Sequence, residues 1–396
     1  MGNKQGKGSR ESGGAKSPVS PSEGKAKGGK DFLEAPQKPG EYNTNSYGKG
    51  YEPAGNDVLN TKMTIDDFEL MKVVGKGSFG KVYQVKYKKT GEIFALKSLK
   101  KQQLLKRKQI EHTQTERKVL QQMQHPFIVS LKFAFQTKDR LYMVLEYFTG
   151  GELFYHLKTG GRFGYRRAKF YATEICLALE CLHDAGIIYR DLKPENILLD
   201  DEGHVRLTDF GLSKDCVLGN QETKTFCGTP EYLAPEVILG KPYTKAVDWW
   251  SFGTVVFEMT CGLPPFYHKN VKAMYERILS APLRFPKGMP EAGKQFFSGL
   301  LERDPKRRLG SKGGAAEVKK CLYFADVNWK EMLEKKVEPE FKPQKQAGKQ
   351  DTINVDPDFL REMPRETPME RSELATEAAS SAFPGFTYQE PGEMLS

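Results

Sequence analysis

Two short segments carry the residue types that phosphoryl transfer needs. The first reads Tyr189-Arg190-Asp191-Leu192-Lys193-Pro194-Glu195-Asn196, and Thr208-Asp209-Phe210-Gly211 follows it. In-line transfer requires a carboxylate to orient the attacking hydroxyl and accept its proton, oxygen ligands for magnesium, and a cation near the moving group. Asp191, Asn196 with Asp209, and Lys193 supply these in turn. Upstream, Val74-Gly75-Lys76-Gly77-Ser78-Phe79-Gly80-Lys81-Val82 leaves backbone N–H groups open to polyphosphate oxygens. Such a loop is more often only a turn, and a dinucleotide fingerprint would lead into a helix. This loop returns into a strand, which favours a lid over a nucleotide. Lys97 follows in Phe94-Ala95-Leu96-Lys97, where alternation puts Ala95 and Lys97 on one face. Glu116 is the anion expected to hold the Lys97 ammonium against phosphates. A lone strand lysine or helix glutamate is ordinarily a solvated side chain; the order of all four features in one chain gives each its weight.

These groups need elements to hold them. The runs Phe68–Val74, Lys81–Tyr87, Glu92–Lys97 and Leu141–Leu145 are β-prone and separated by turn residues, which predicts an antiparallel sheet. Residues Ile110 to Met123 read as a helix. After Gly150-Gly151 helical signals dominate, and Ile175, Cys176, Leu179 and Leu182 mark a buried stripe. The pattern predicts an α+β protein of two lobes, a β-rich one over 68–147 and a helical one over 150–324, with a cleft between.

Composition limits the alternatives. The chain has 396 residues, 38% of them hydrophobic, and a formal net charge of +10. The excess charge lies largely in the tails, and the basic N-terminal tail lacks the interleaved aromatics expected for nucleic-acid binding. Six cysteines show no CxxC pair or Cys/His cluster, as expected in a reducing compartment. No apolar run approaches the roughly 20 residues of a membrane span. Residues 1–67 form a basic N-terminal tail, its stretch to about Lys62 rich in Gly, Ser, Lys and Pro, a composition that predicts disorder. Residues 325–396 form a second tail ending in the aromatic cluster Phe383–Tyr388.

From Phe68 to Phe324 the chain resembles the protein kinases. Ala234-Pro235-Glu236, Asp248-Trp249 and Arg308, as the partner of Glu236, agree with this. Lys193, two residues after Asp191, resembles the serine/threonine signature, and Tyr189 before Arg190-Asp191 resembles the AGC group. The C-terminal tail extends that likeness, closest to the ribosomal-protein-S-six kinases, with the serum/glucocorticoid-regulated kinases and protein kinase B near. The resemblance implies a non-specific serine/threonine protein kinase using ATP and magnesium in intracellular signalling. It adds Val74, Ala95 and Glu146 to the nucleotide pocket.

The resemblance also implies regulation and specificity. Thr225 matches an activation-segment site for an upstream phosphoinositide-dependent kinase, with Arg190 the first partner of its phosphate. Thr387 matches a hydrophobic-motif site for a second kinase, and Thr367, with Ser372 as rival, the turn-motif site. Glu152, Glu195 and Glu258 match positions that bind arginines upstream of the target, an Arg-x-Arg-x-x-Ser/Thr preference. Val355 stands where many relatives have an aromatic touching the nucleotide. Gly2, in Met1-Gly2-Asn3-Lys4, is a candidate for myristoylation, with Lys4, Lys7, Arg10 and Lys16 as a second signal toward an anionic membrane. A cytoplasmic monomer is expected, membrane-associated if Gly2 is acylated. The rival reading, a pseudokinase scaffold, predicts damage at Lys97, Asp191 or Asp209, and all three are intact.

Overall fold

The computed structural model describes residues 63–77, 79–215, 223, 225–346, 351–366, 379 and 381–390. Gly2, Ser78, Thr367 and Ser372 lie outside them. Strands β1 (Phe68–Gly77), β2 (Gly80–Tyr87) and β3 (Ile93–Lys100) lead to helices α1 (Lys101–Lys106) and α2 (Ile110–Gln122), then β4 (Leu131–Gln136) and β5 (Arg140–Glu146). The sheet is antiparallel with order β1-β2-β3-β5-β4-β10, where β10 is Tyr388–Gln389 from the far end of the chain. Alternation works as expected: Phe94 and Leu96 of β3 are buried in an apolar layer with Val73, Tyr83 and Phe133, while Ala95 and Lys97 are half-buried on the other face.

The tail, which shows no long periodicity in sequence, is more ordered than that pattern suggests. Tyr388 pairs with Ala134 and Gln389 with Phe133, so the last described segment becomes an edge strand of the small lobe. Phe383 and Phe386 are 1% and 2% exposed and join the core containing Leu104, Val119 and Leu120 of α1 and α2. Burial of two phenyl rings offsets part of the entropy that ordering this tail costs.

The large lobe follows the cleft connection. Helices α3 (Leu153–Gly160) and α4 (Tyr165–Asp184) precede two short ribbons, β6 (Ile187–Ile188) with β9 (Lys214–Asp215) and β7 (Ile197–Leu199) with β8 (Val205–Leu207). The predicted stripe on α4 is buried throughout. Helices α5 (Pro235–Ile238), α6 (Ala246–Cys261), α7 (Val271–Ser280), α8 (Glu291–Leu300) and α9 (Gly314–Lys319) complete the lobe. Helix α6 is buried over nearly its whole length and forms the platform beneath the catalytic segment. Two short tail helices, α10 (Trp329–Leu333) and α11 (Pro357–Leu360), follow.

Candidate active site

Asp248, 0% exposed on α6, explains why the Tyr189–Asn196 segment holds its shape. Its carboxylate accepts from the backbone N–H of Tyr189 (2.9 Å) and of Arg190 (2.8 Å) and lies 2.8 Å from His183 Nε2. Arg190 sits at φ 70° and Asp209 at φ 56°, left-handed conformations that are rare for such residues and persist where their surroundings enforce them. The Tyr189 hydroxyl donates to the Thr208 carbonyl, and its ring packs on Phe210 at 5.2 Å between centroids. Tyr189 thus ties the Asp191 segment to the Asp209 segment.

Around Asp191 the predicted residues converge. Lys193 Nζ lies 2.8 Å from Asp191 Oδ2, and Asn196 Nδ2 donates to the same oxygen at 2.9 Å and to the Asp191 carbonyl at 2.9 Å. Thr229 Oγ1 accepts from Lys193 Nζ (3.0 Å) and donates to Asp191 Oδ1 (3.3 Å). Across the cleft Lys97 Nζ meets Glu116 Oε1 at 2.6 Å and Asp209 Oδ1 at 3.2 Å. Burial alone would lower the Lys97 pKa, but Asp209 and Glu116 outweigh it and hold the ammonium charged. The same ammonium, against the opposing effect of burial, holds Asp209 below the usual carboxylate range, with the Gly211 N–H assisting.

These donor sets fit magnesium and nucleotide. Asn196 spends its amide nitrogen on Asp191, which leaves its oxygen as a ligand. Asp209 binds Lys97 and Gly211 through Oδ1, which leaves Oδ2. Two protein oxygens completed by phosphate and water suit a cation that dehydrates reluctantly. Among the described residues no cluster of three or more His, Cys, Asp or Glu offers a rival metal site. Gly80 permits the hairpin of the lid, since a Cβ there would lie 1.7 Å from the Ser98 carbonyl oxygen.

Three expected nucleotide contacts differ in detail. The Glu146 carboxylate accepts from Ser130 N at 3.2 Å and faces Arg206, so only its backbone is left for a base. Lys76 and Lys81, paired across the lid hairpin, turn their ammonium groups onto one tail carboxylate, Glu362, at 2.9 and 2.5 Å. Their backbones, not their charges, are available to phosphate. Val355 is half-buried beside Asn354, whose amide donates to the Thr149 carbonyl at 2.9 Å, while Tyr147 Oη donates to the Asp351 carbonyl at 2.8 Å. The tail crosses the interlobe connection without an aromatic at position 355.

Sequence reasoning missed Glu362, and also Glu366, which accepts from Tyr142 Oη (2.9 Å) and Ser98 Oγ (3.1 Å) and lies 3.6 Å from Arg140 Nε. Neither has a local signal, because their partners lie more than 200 residues away. Glu362→Gln frees both ammonium groups toward the nucleotide phosphates and is expected to lower the KM for ATP about two- to threefold at low salt, with little change in peptide KM, as befits half-exposed ion pairs of about 0.5 kcal/mol. Steady-state kinetics at two ionic strengths check this, and the effect should shrink in high salt.

Glu152, Glu195 and Glu258 lie close enough to act on one another electrostatically. Burial pushes Glu152 up to about 7, with Glu195 and Asp356 adding to the shift. Burial likewise pushes Glu258 up to about 7, opposed by the Tyr232 hydroxyl, which donates at 2.6 Å. Glu195 is raised by burial, and its Oε2 has no hydrogen-bond partner among the described residues. Thr225 is exposed. Near Arg190 the structure adds His112 of α2, whose pKa burial and the Arg190 charge push down. Thr387 is also exposed, with Arg117 Nη2 donating to its carbonyl at 3.3 Å.

A family profile described as protein kinase domain matches residues 68–324, and one described as protein kinase C terminal domain matches residues 347–388. The chain is 52% identical over 331 residues to serine/threonine-protein kinase gad8 of Schizosaccharomyces pombe, covering 84% of this chain and 58% of that one. It is 52% identical over 326 residues to protein kinase 2 of Dictyostelium discoideum, with 82% and 67% covered. Against serine/threonine-protein kinase Sgk2 of Rattus norvegicus it is 48% identical over 327 residues, with 81% and 88% covered. The chain spans about half the length of the fungal relatives it matches. A lysine–glutamate pair facing Asp209, an aspartate held by Lys193 and Asn196, and these likenesses agree: the chain belongs to the protein kinase family, among serine/threonine kinases of the AGC group.

Proposed function

We propose that this chain transfers the γ-phosphate of ATP to serine or threonine in Arg-rich protein segments, and that phosphorylation of Thr225 and Thr387 activates it. The observation that carries the reading is the Asp191–Lys193–Asn196–Thr229 constellation facing the Lys97–Glu116–Asp209 cluster. Asp191 orients the acceptor hydroxyl and takes its proton. Lys193 lies beside that oxygen to offset developing negative charge, and Lys97, fixed by Glu116, holds the nucleotide phosphates. Asn196 and Asp209 would hold magnesium, whose charge when bound would offset that of the phosphate oxygens. Magnesium-dependent transfer from ATP to an Arg-x-Arg-x-x-Ser peptide by protein phosphorylated at Thr225 tests the reading, and transfer no greater than that of an Asp191→Asn control overturns it.

Arginine recognition follows from the acidic groups. Glu195 has a buried oxygen with no partner among the described residues, and Glu152 and Glu258 are raised by burial and by neighbouring carboxylates, so an incoming guanidinium relieves like-charge repulsion. Because both pKa values are near 7, these carboxylates are charged above pH 7 and protonated below it. Lowering pH from 8 to 6 should therefore raise the KM for an Arg-rich peptide about tenfold or more while the KM for ATP changes little. A pH profile that is flat for the peptide would remove Glu152 and Glu258 from recognition.

Phosphate on Thr225 would gain Arg190 and, within the same electrostatic neighbourhood, His112. Phosphate on Thr387 would lie beside Arg117. The same reading extends to upstream kinases for both sites, to phosphorylation of Thr367, and to a membrane contact through acylated Gly2. Mass spectrometry of the intact protein from its own cells tests these modifications together; Thr225 and Thr387 left bare in fully active protein defeat the switch.

A further inference from the structure

Tyr243 holds the activation segment at two points. Its N–H donates to the Thr223 carbonyl at 2.9 Å and its carbonyl accepts from Thr223 N–H at 3.0 Å, a single antiparallel rung outside any named strand. Two residues further along, its hydroxyl donates to the Thr225 carbonyl at 2.8 Å. The same hydroxyl lies 3.4 Å from Arg190 Nη1 and 3.9 Å from Cys227 Sγ. Arg190 also donates through Nε to the Leu212 carbonyl and through Nη2 to the Ser213 carbonyl, and its backbone N–H is held by buried Asp248.

The base of this grip is rigid. Tyr243 is 3% exposed and packs with Leu233, Val237, Val247 and Trp250, three residues before α6 begins. A small recess beneath the segment, bounded by Arg190, Tyr243 and Ser251, leaves the phenol room to reach both groups. Beyond Thr225 come Phe226, 59% exposed, and Thr229, which bonds Asp191 and Lys193. The path from α6 through the Tyr243 hydroxyl therefore ends at the surface on which a protein substrate would lie.

We propose that Tyr243 is a positioning residue: its hydroxyl clasps the Thr225 backbone to Arg190, sets the segment Thr225–Thr229 against the catalytic aspartate, and thereby governs peptide rather than nucleotide affinity. This rests on the kinase reading above, but not on whether Thr225 phosphate activates. A buried hydrogen bond is lost when the phenol oxygen is removed, and the Thr225 carbonyl is left to find water, which loosens the segment.

The test uses the full chain with Tyr243→Phe, which keeps the ring and its packing. Tryptic cleavage after Lys224, between the two held residues, should quicken about tenfold, and peptide KM should rise about fivefold, with ATP KM unchanged and the thermal midpoint lowered by only about 2–4 °C. Cleavage and peptide KM equal to the parent's overturn the proposal, as does an ATP KM that rises in step with the peptide's. If the variant does not fold, proton exchange at the Tyr243 hydroxyl in the unsubstituted protein decides: a slowly exchanging hydroxyl proton seen by NMR supports the clasp, and one in fast exchange with water overturns it. A parent phosphorylated at Thr225 that transfers no phosphate to peptide overturns the kinase reading and the substrate role with it, while cleavage and exchange still judge the grip itself.

Discussion

Asp191→Asn is expected to lower kcat by about two to four orders of magnitude, the range for removing a positioned general base, while leaving the KM for ATP near its original value. The substitution keeps volume and planarity but removes the charge that attracts the Lys193 ammonium and the acceptor for a proton. It also disturbs the local hydrogen bonds: Asn196 Nδ2 and Lys193 Nζ both address Asp191 Oδ2, so an amide nitrogen there would face two donors, and the amide must turn its oxygen to that side. Thr229 Oγ1 then faces the nitrogen in place of Oδ1. Nucleotide contacts through Lys97 and Asp209 lie across the cleft and are untouched. Single-turnover transfer to an Arg-rich peptide, with ATP binding measured separately, reads the two effects apart. A fall in kcat of less than tenfold would mean that Asp191 only shapes the site.

The chemistry was legible because it is written contiguously. Asp191, Lys193 and Asn196 fall within six residues, and each residue type matches a task that the reaction sets. The small-lobe strands on either side of the glycine loop were legible from alternation. Strand β4 was not, since Phe127 to Phe135 is nearly continuously apolar and such a run does not separate strand from buried helix. The tail was legible only in part. Its aromatics stand out against a charged background, but β10 has two residues and pairs with a strand some 250 residues earlier. Glu362 and Glu366 look like any solvated acid until the sheet brings Lys76, Lys81, Ser98 and Tyr142 beneath them. Tyr243 was hidden for a related reason: what its hydroxyl and backbone hold are backbone groups of Thr225 and Thr223, which carry no residue signature.

Arg308→Ala is expected to cost about 3–5 kcal/mol, a large share of the stability of an ordinary domain. Arg308 is 0% exposed and makes a two-pronged pair with Glu236, Nη1 to Oε1 at 2.7 Å and Nη2 to Oε2 at 2.8 Å. It also donates to the carbonyls of Ala246 (2.8 Å) and Glu302 (2.9 Å), and its guanidinium lies 5.2 Å from the centre of the Trp250 ring. One side chain thus joins α5, the start of α6 and the loop after α8. Truncation leaves a buried carboxylate and two carbonyls without their donor, so most of the cost is the stranded Glu236 charge. The double variant Arg308→Met with Glu236→Leu removes both charges and should recover much of the loss, whereas Arg308→Lys keeps the charge but loses the fork and should fall between. Urea unfolding midpoints for the set separate these cases, and a thermal midpoint roughly 10 °C below the parent's is expected for Arg308→Ala. A double variant no more stable than Arg308→Ala would show that the carbonyl bonds, not the buried charge, dominate. Because α5 closes the segment that begins at Asp209, the same order of stability should appear in resistance of that segment to proteolysis, and so in peptide phosphorylation at temperatures just below the midpoint.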